Sequence, residues 1–207
     1  MLDRRTFLRT TGLSALALGA GTTLLPAATA TAAAGETLLP TTWQQQSTLY
    51  WCGPTAVAIA LSARGEAPTP DSLAGELGTT DDGTTFGAIS PVLNAHTPDK
   101  TYTDHFMESM TATKEDADLL WQRATNNADN GFATVVNWWV LPGEYPGWGG
   151  NDKDVQHFLT IDGYNADEGT LRIADPAGAT LSDSLPQRQW LSAQQVATFC
   201  AGRGYFW

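Results

Sequence analysis

The sequence predicts an α+β domain in which a buried helix comes first and an antiparallel sheet follows. Two observations carry this. From Ala56 to Leu61 the chain is apolar without a polar face, and a helix apolar all round is buried on every side. Later, Phe132–Val140, Val155–Ile161 and Leu171–Ala174 read as successive strands, the last two joined by a turn at Asp167-Glu168-Gly169.

Taken in order, residues 1–34 form the predicted targeting segment. Arg4-Arg5-Thr6-Phe7-Leu8-Arg9 resembles a twin-arginine export signal, although Asp3 stands where Ser or Thr is usual. The apolar stretch from Gly12 to Leu25 is too short and mild to span a membrane. Ala28-Thr29-Ala30 and Ala30-Thr31-Ala32 offer cleavage sites, so the expectation is secretion through the twin-arginine pathway, with no membrane contact once the segment is removed. Residues 35–207 are then the functional domain.

Gly35 to Thr48 reads as extended, and the buried helix ends near Gly65. Thr69-Pro70 opens a short helix through Leu77 that Gly78 closes. Asp81-Asp82-Gly83 is a turn, and Phe86, Ile89 and Leu93 share helical spacing around Pro91. His96 is expected in a loop, Tyr102–Phe106 in a strand, and His105 at the surface. Thr113-x-x-Asp116 caps an amphipathic helix that Gly131 ends. Leu141 to Asp154 is a loop rich in Pro, Gly and aromatics. Ser192-x-x-Gln195 caps a last helix through Cys200, and Tyr205–Trp207 returns as a strand.

The 207 residues suffice for one domain with a sizeable core. A formal charge of −11 argues against binding nucleic acid or anionic membrane by charge and for a self-repelling monomer. Three histidines without paired spacing predict no metal site, and no cofactor is expected. Two cysteines are too few for a disulfide scaffold; Cys200 shares a helical face with Val196 and Phe199 and is expected in the core.

Cys52 stands where the buried helix begins, at the positive end of its dipole, which favours the nucleophilic thiolate. The Gln46 amide and the Cys52 backbone N–H would together hold an oxyanion. His157 on one strand supplies a base, and Asp175 at the end of the next orients it. Each residue has a blander reading: a buried thiol, a core histidine, an aspartate opening a turn. Their joint order outweighs those readings.

Gln46, the run Trp51-Cys52-Gly53-Pro54-Thr55-Ala56, His157 ahead of an apolar strand and Gly163-Tyr164, and Asp175-Pro176 resemble the papain-like cysteine peptidases, in the branch of the bacteriocin-processing (double-glycine leader) peptidases. The likeness spans most of the chain after residue 40; the long aromatic loop from Leu141 departs from it. The resemblance implies a papain-like fold, a Cys-His-Asp triad with a Gln oxyanion donor, and a peptide or protein substrate. Trp138 and Trp139 should face opposite sides of their strand. Trp51, Trp139, Tyr145 and Trp148 are the expected substrate contacts, with packing of the aromatic loop against the domain as the equal alternative for its rings. The alternatives are an amide hydrolase or acyltransferase acting on cell-wall peptides, a non-catalytic binding module, and a structural protein with a Cys52–Cys200 bridge.

Overall fold

A computed structural model of the chain describes residues 35–65, 67–145, 148, 152–180 and 185–207; the expected targeting segment lies outside them. Its organising element is helix α1, Cys52–Ser62, in which all eleven residues are buried. Pro54 falls in its first turn, where a missing N–H costs nothing. Gly53 is required by a close approach: a Cβ there would collide with the Thr84 side chain.

Helix α2, Pro70–Glu76, starts as predicted, its Thr69 cap accepting from the Ser72 N–H. Phe86–Ala88 forms a 3₁₀ turn leading into α3, Ile89–His96. Pro91 is tolerated because it lies among the first N–H groups of α3, which have no intrahelical acceptor. His96 ends α3 rather than lying in a loop, with Nε2 2.7 Å from Glu76 of α2. Helices α4, Lys114–Asp129, and α5, Ala193–Cys200, both begin with the predicted capping boxes, Thr113/Asp116 and Ser192/Gln195.

Among the described residues seven strands make one antiparallel sheet: β1 Glu36–Leu38, β2 Asp104–Phe106, β3 Thr134–Val140, β4 Val155–Asn165, β5 Thr170–Ala174, β6 Arg188–Ser192 and β7 Gly204–Phe206. The order is β2-β7-β3-β4-β5-β6, and β1 pairs with the far end of β4. The strand expected from Tyr102 begins at Asp104, because Tyr102 turns inward and its hydroxyl donates to the Ala133 carbonyl at 2.9 Å.

Helices cover both faces. Cys52, α1, Val135, Phe158 and Phe206 share one apolar cluster; Leu120, Val136, Trp138, Leu159, Val196 and Phe199 share the other. Strand β4 is therefore buried from His157 through Gly163 on both faces, and its apolar/polar alternation does not become an in/out alternation. The helix–sheet contact is fixed where Thr160 Oγ1 donates to the Ala56 carbonyl at 2.8 Å.

A bulge between Ile161 and Gly163 places Asp162 in the interior. Its carboxylate accepts from Arg172 Nε at 2.6 Å, Arg188 Nε at 2.8 Å and Thr41 Oγ1 at 2.5 Å. Arg188 also donates to the Thr41 carbonyl at 3.0 Å. This clasp ties the segment after β1 to the sheet, and that segment leads to Gln46.

Candidate active site

The approach to α1 is anchored at Gln46, which is buried. Its backbone N–H donates to the Pro176 carbonyl at 2.8 Å, and its carbonyl accepts from Thr180 Oγ1 at 3.2 Å. The residues before Cys52 are thus laced to those after Asp175. Gln46 Nε2 gives one N–H to the Thr48 carbonyl at 2.8 Å, and its second N–H remains for another acceptor.

Cys52 begins α1, so its own N–H has no intrahelical acceptor and the helix dipole favours a negative sulfur. The sulfur meets the His157 side chain and the backbone N–H groups of Phe158 and Gly53. Burial by itself raises the thiol; the hydrogen bond and charge of His157 and the two N–H donors outweigh it, and the net direction is down.

His157 occupies the start of β4, opposite Trp138 on β3, and Asp175 follows β5. His157 Nε2 donates to Asp175 Oδ1 at 2.8 Å, with both side chains buried, which leaves Nδ1 for the sulfur. Burial alone would lower the imidazole, but the Asp175 charge and hydrogen bond, with the Cys52 sulfur, push it up to about 10. Burial likewise raises Asp175, and the opposing pull of His157, Trp148 and the Ala177 N–H holds it below the ordinary carboxylate range. All three directions favour a thiolate, an imidazolium and a carboxylate in a row.

The Asp175 carboxylate has no idle oxygen. Oδ1 also accepts from the Ala177 N–H at 2.8 Å, and Oδ2 accepts from Trp148 Nε1 at 3.0 Å. Trp43 Nε1 donates to the Asp175 carbonyl at 2.7 Å. Two indoles therefore hold one aspartate. Nothing local in the sequence marks Trp43, which meets Asp175 across 132 positions.

The four aromatic residues expected to contact substrate divide. Trp51 precedes α1 and is half-buried. Trp139 is half-buried too, its indole N–H donating to Asp154 Oδ2 at 3.0 Å, whereas Trp138 is fully buried as the opposite-face expectation requires. Tyr145 and Trp148 correct the expectation: they are 1% and 5% exposed and face no open surface. Tyr145 packs edge-on to Trp138 and Trp148, and Trp148 packs edge-on to His157 at 5.4 Å between ring centres. The aromatic loop is drawn down because burying its rings completes the second cluster and covers the imidazole.

Both cysteines are free, which excludes the bridge; Cys200 is in the core, and burial raises its thiol far above the ordinary range. Among the described residues no group of three His, Cys, Asp or Glu side chains is placed to hold a metal ion, and no helix is long and apolar enough to cross a membrane.

The model of the Peptidase_C39 like family matches residues 38–198, which contain all four candidate catalytic residues. No curated protein sequence matches the chain. Among solved structures, a protein from Bacillus anthracis described as a C39-like peptidase superposes with a TM-score of 0.52 at 18% identity, covering 83% of this chain and 96% of that one. The peptidase domain of Streptococcus ComA gives 0.49 at 14% identity, covering 80% and 95%. Xylellain, a cysteine protease from Xylella fastidiosa, gives 0.45 at 13% identity, covering 83% and 84%. The chain belongs to the Peptidase_C39 like family and is a cysteine peptidase of papain-like fold.

Proposed function

We propose that this peptidase hydrolyses peptide bonds with Cys52 as nucleophile, His157 as acid–base, Asp175 as the group that orients His157, and Gln46 as oxyanion donor. The observation that carries the reading is the continuous line from the Cys52 sulfur through His157 to Asp175, closed by the 2.8 Å Nε2–Oδ1 bond. In the resting enzyme the Cys52 proton resides on His157. The thiolate attacks the scissile carbonyl carbon, and the carbonyl oxygen becomes the oxyanion. The second Nε2 N–H of Gln46 and the Cys52 backbone N–H receive that charge. His157 then delivers its proton to the departing amine, leaving a thioester on Cys52. Water, deprotonated by His157, attacks the thioester, and collapse of that adduct releases the acid and the thiolate. Asp175 stays ionised throughout, holding the ring so that Nδ1 faces the sulfur.

The substrate class is peptide or protein, and the enzyme acts as a secreted monomer after loss of residues 1–34. N-terminal sequencing of exported protein tests that part: the mature chain is expected to begin between Thr31 and Gly35, and an intact terminus held in the membrane overturns it. A cell-wall amide hydrolase or acyltransferase would use the same three groups. Digestion of denatured casein, with and without added amine, separates these readings. Free new termini without amine incorporation support the peptidase; incorporation of the amine supports acyl transfer. Mapping of the residue alkylated by iodoacetamide identifies the nucleophile, and modification anywhere but Cys52 overturns the assignment.

A further inference from the structure

Asn137 stands in the middle of β3, is 6% exposed, and its Oδ1 is buried without a hydrogen-bond partner. An amide oxygen left in that condition is a standing cost to the fold, and in a native protein such a group calls for a use.

The register of the sheet shows where it points. Asn137 is paired with Phe158 on one side and Gly204 on the other, and Gly204 is paired with Phe106. Directly paired residues share a face, and so do residues two apart on one strand. Val135 and Phe158 belong to the cluster that contains Cys52 and α1. Asn137 therefore points to the α1 side, next to Phe158, whose backbone N–H meets the Cys52 sulfur.

The rim of that face is apolar and exposed. Trp139, two residues along β3, and Met110 would both contact a Cβ placed on Gly202. Phe106 and Met110 are 51% and 58% exposed. Phe86 supports Phe106 edge-on at 5.5 Å and lies two residues beyond Thr84, which packs against Gly53. Phe106 and Met110 thus edge this face as an exposed apolar ledge, and Phe86 and Thr84 link Phe106 to the residue that follows Cys52.

From this arrangement we propose that Asn137 and the Phe106–Met110 ledge form a substrate subsite for Cys52. Asn137 Oδ1 accepts a backbone N–H of an extended peptide, and one apolar side chain of that peptide lies against Phe106 and Met110. A peptide fits because it supplies what the face lacks: a donor in every residue for the unpaired oxygen, and apolar surface for the ledge. The proposal rests on the peptidase reading and adds its specificity.

The test uses a mixed peptide library, with products sequenced by mass spectrometry, and kcat/KM measured on one cleaved peptide. Wild-type cuts should be enriched in an apolar residue at one fixed distance from the cut bond. The double variant Phe106→Ser/Met110→Ser should lose that enrichment. Asn137→Leu should lower kcat/KM tenfold or more on all sequences while leaving the thermal midpoint unchanged or higher, because removing an unpaired buried amide relieves the fold. Its rate of Cys52 alkylation by iodoacetamide should equal the wild-type rate. Asn137→Ser, which withdraws the oxygen without adding apolar bulk, reads the same loss if the leucine does not fold. Wild-type kcat/KM in the Asn137 variants, or an apolar preference that survives the double variant, overturns the subsite alone. A wild-type protein that cuts nothing and leaves Cys52 unalkylated overturns the peptidase reading and the subsite with it.

Discussion

Trp148 donates its indole N–H to Asp175 Oδ2, the carboxylate oxygen that His157 does not use. The indole thus sits behind the ion pair and sets the plane of the carboxylate, while its ring packs edge-on to the imidazole. Trp148→Phe keeps most of the ring and removes the donor. Loss of a hydrogen bond to a charged group should destabilise the fold by about 1.5–3 kcal/mol. The pH midpoint of Cys52 alkylation should rise, since a less anchored Asp175 supports the imidazolium less well. A lower thermal midpoint with an unchanged alkylation profile would assign Trp148 to packing alone.

Cys52 should alkylate rapidly well below pH 8.5, about where a free thiol titrates. Its lowered pKa puts the thiolate in place on the acid side of that value, paired with an imidazolium whose own pKa is raised to about 10. The rate against pH should therefore show its acid limb below the ordinary thiol range. A profile that follows free cysteine would reject the ion pair.

Stability should depend on pH through His157 in a defined direction. Its folded pKa is raised, so its contribution is fully present below the unfolded value of about 6.5 and is lost as pH rises through about 10. The thermal midpoint of wild type, measured against His157→Gln at each pH, should fall across that window. A difference that grows with pH would reverse the assigned direction.

The proposed catalytic groups should differ in what their loss does. Cys52→Ala and His157→Ala should abolish turnover of a peptide substrate, one removing the nucleophile and the other its base. Asp175→Ala should retain a trace of activity but lose about 3–5 kcal/mol of stability, because it leaves a buried imidazolium unpaired. Gln46→Ala should slow kcat by roughly 10²–10³ with little change in KM, as the oxyanion forms only on the way to products. A rise in KM alone would make Gln46 a substrate contact.

Asp162→Ala should be among the most damaging changes outside the site. It leaves Arg172 and Arg188 facing an empty carboxylate position and frees Thr41, at a cost of about 3–5 kcal/mol. Chemical denaturation measures it, and a loss under 1 kcal/mol would show that water replaces the clasp.

What was legible in the sequence was what local chemistry writes there. The Thr69, Thr113 and Ser192 caps bond three residues ahead, so helices α2, α4 and α5 announce their starts. The helix start at Cys52 and the strand runs that carry His157 and lead to Asp175 were legible too, while the grouping of the three rested on their joint order and the family resemblance. The long-range polar contacts were not. Trp43 and Trp148 reach Asp175 from far apart in the chain, and Asp162 meets Arg188 across 26 positions, without a periodicity to mark either. The sequence left open whether Tyr145 and Trp148 line a cleft or pack their loop down, since a loop rich in Pro and Gly allows both; their burial decides for packing.

Strand β7 comes from residues 204–206, yet it lies between β2 and β3 and, among the described residues, forms the only ladder joining β2 to the sheet. A nascent chain that has emerged only as far as β6 already holds Cys52, His157 and Asp175, but β3 still has an open edge and the Phe206 side chain is missing from beside Phe158. The register that seats Asn137 between Phe158 and Gly204 waits for β7. Residues 204–206 must therefore be made before the sheet beside Cys52 takes its finished form, and a chain cut before β7 exposes an unpaired strand edge on β3.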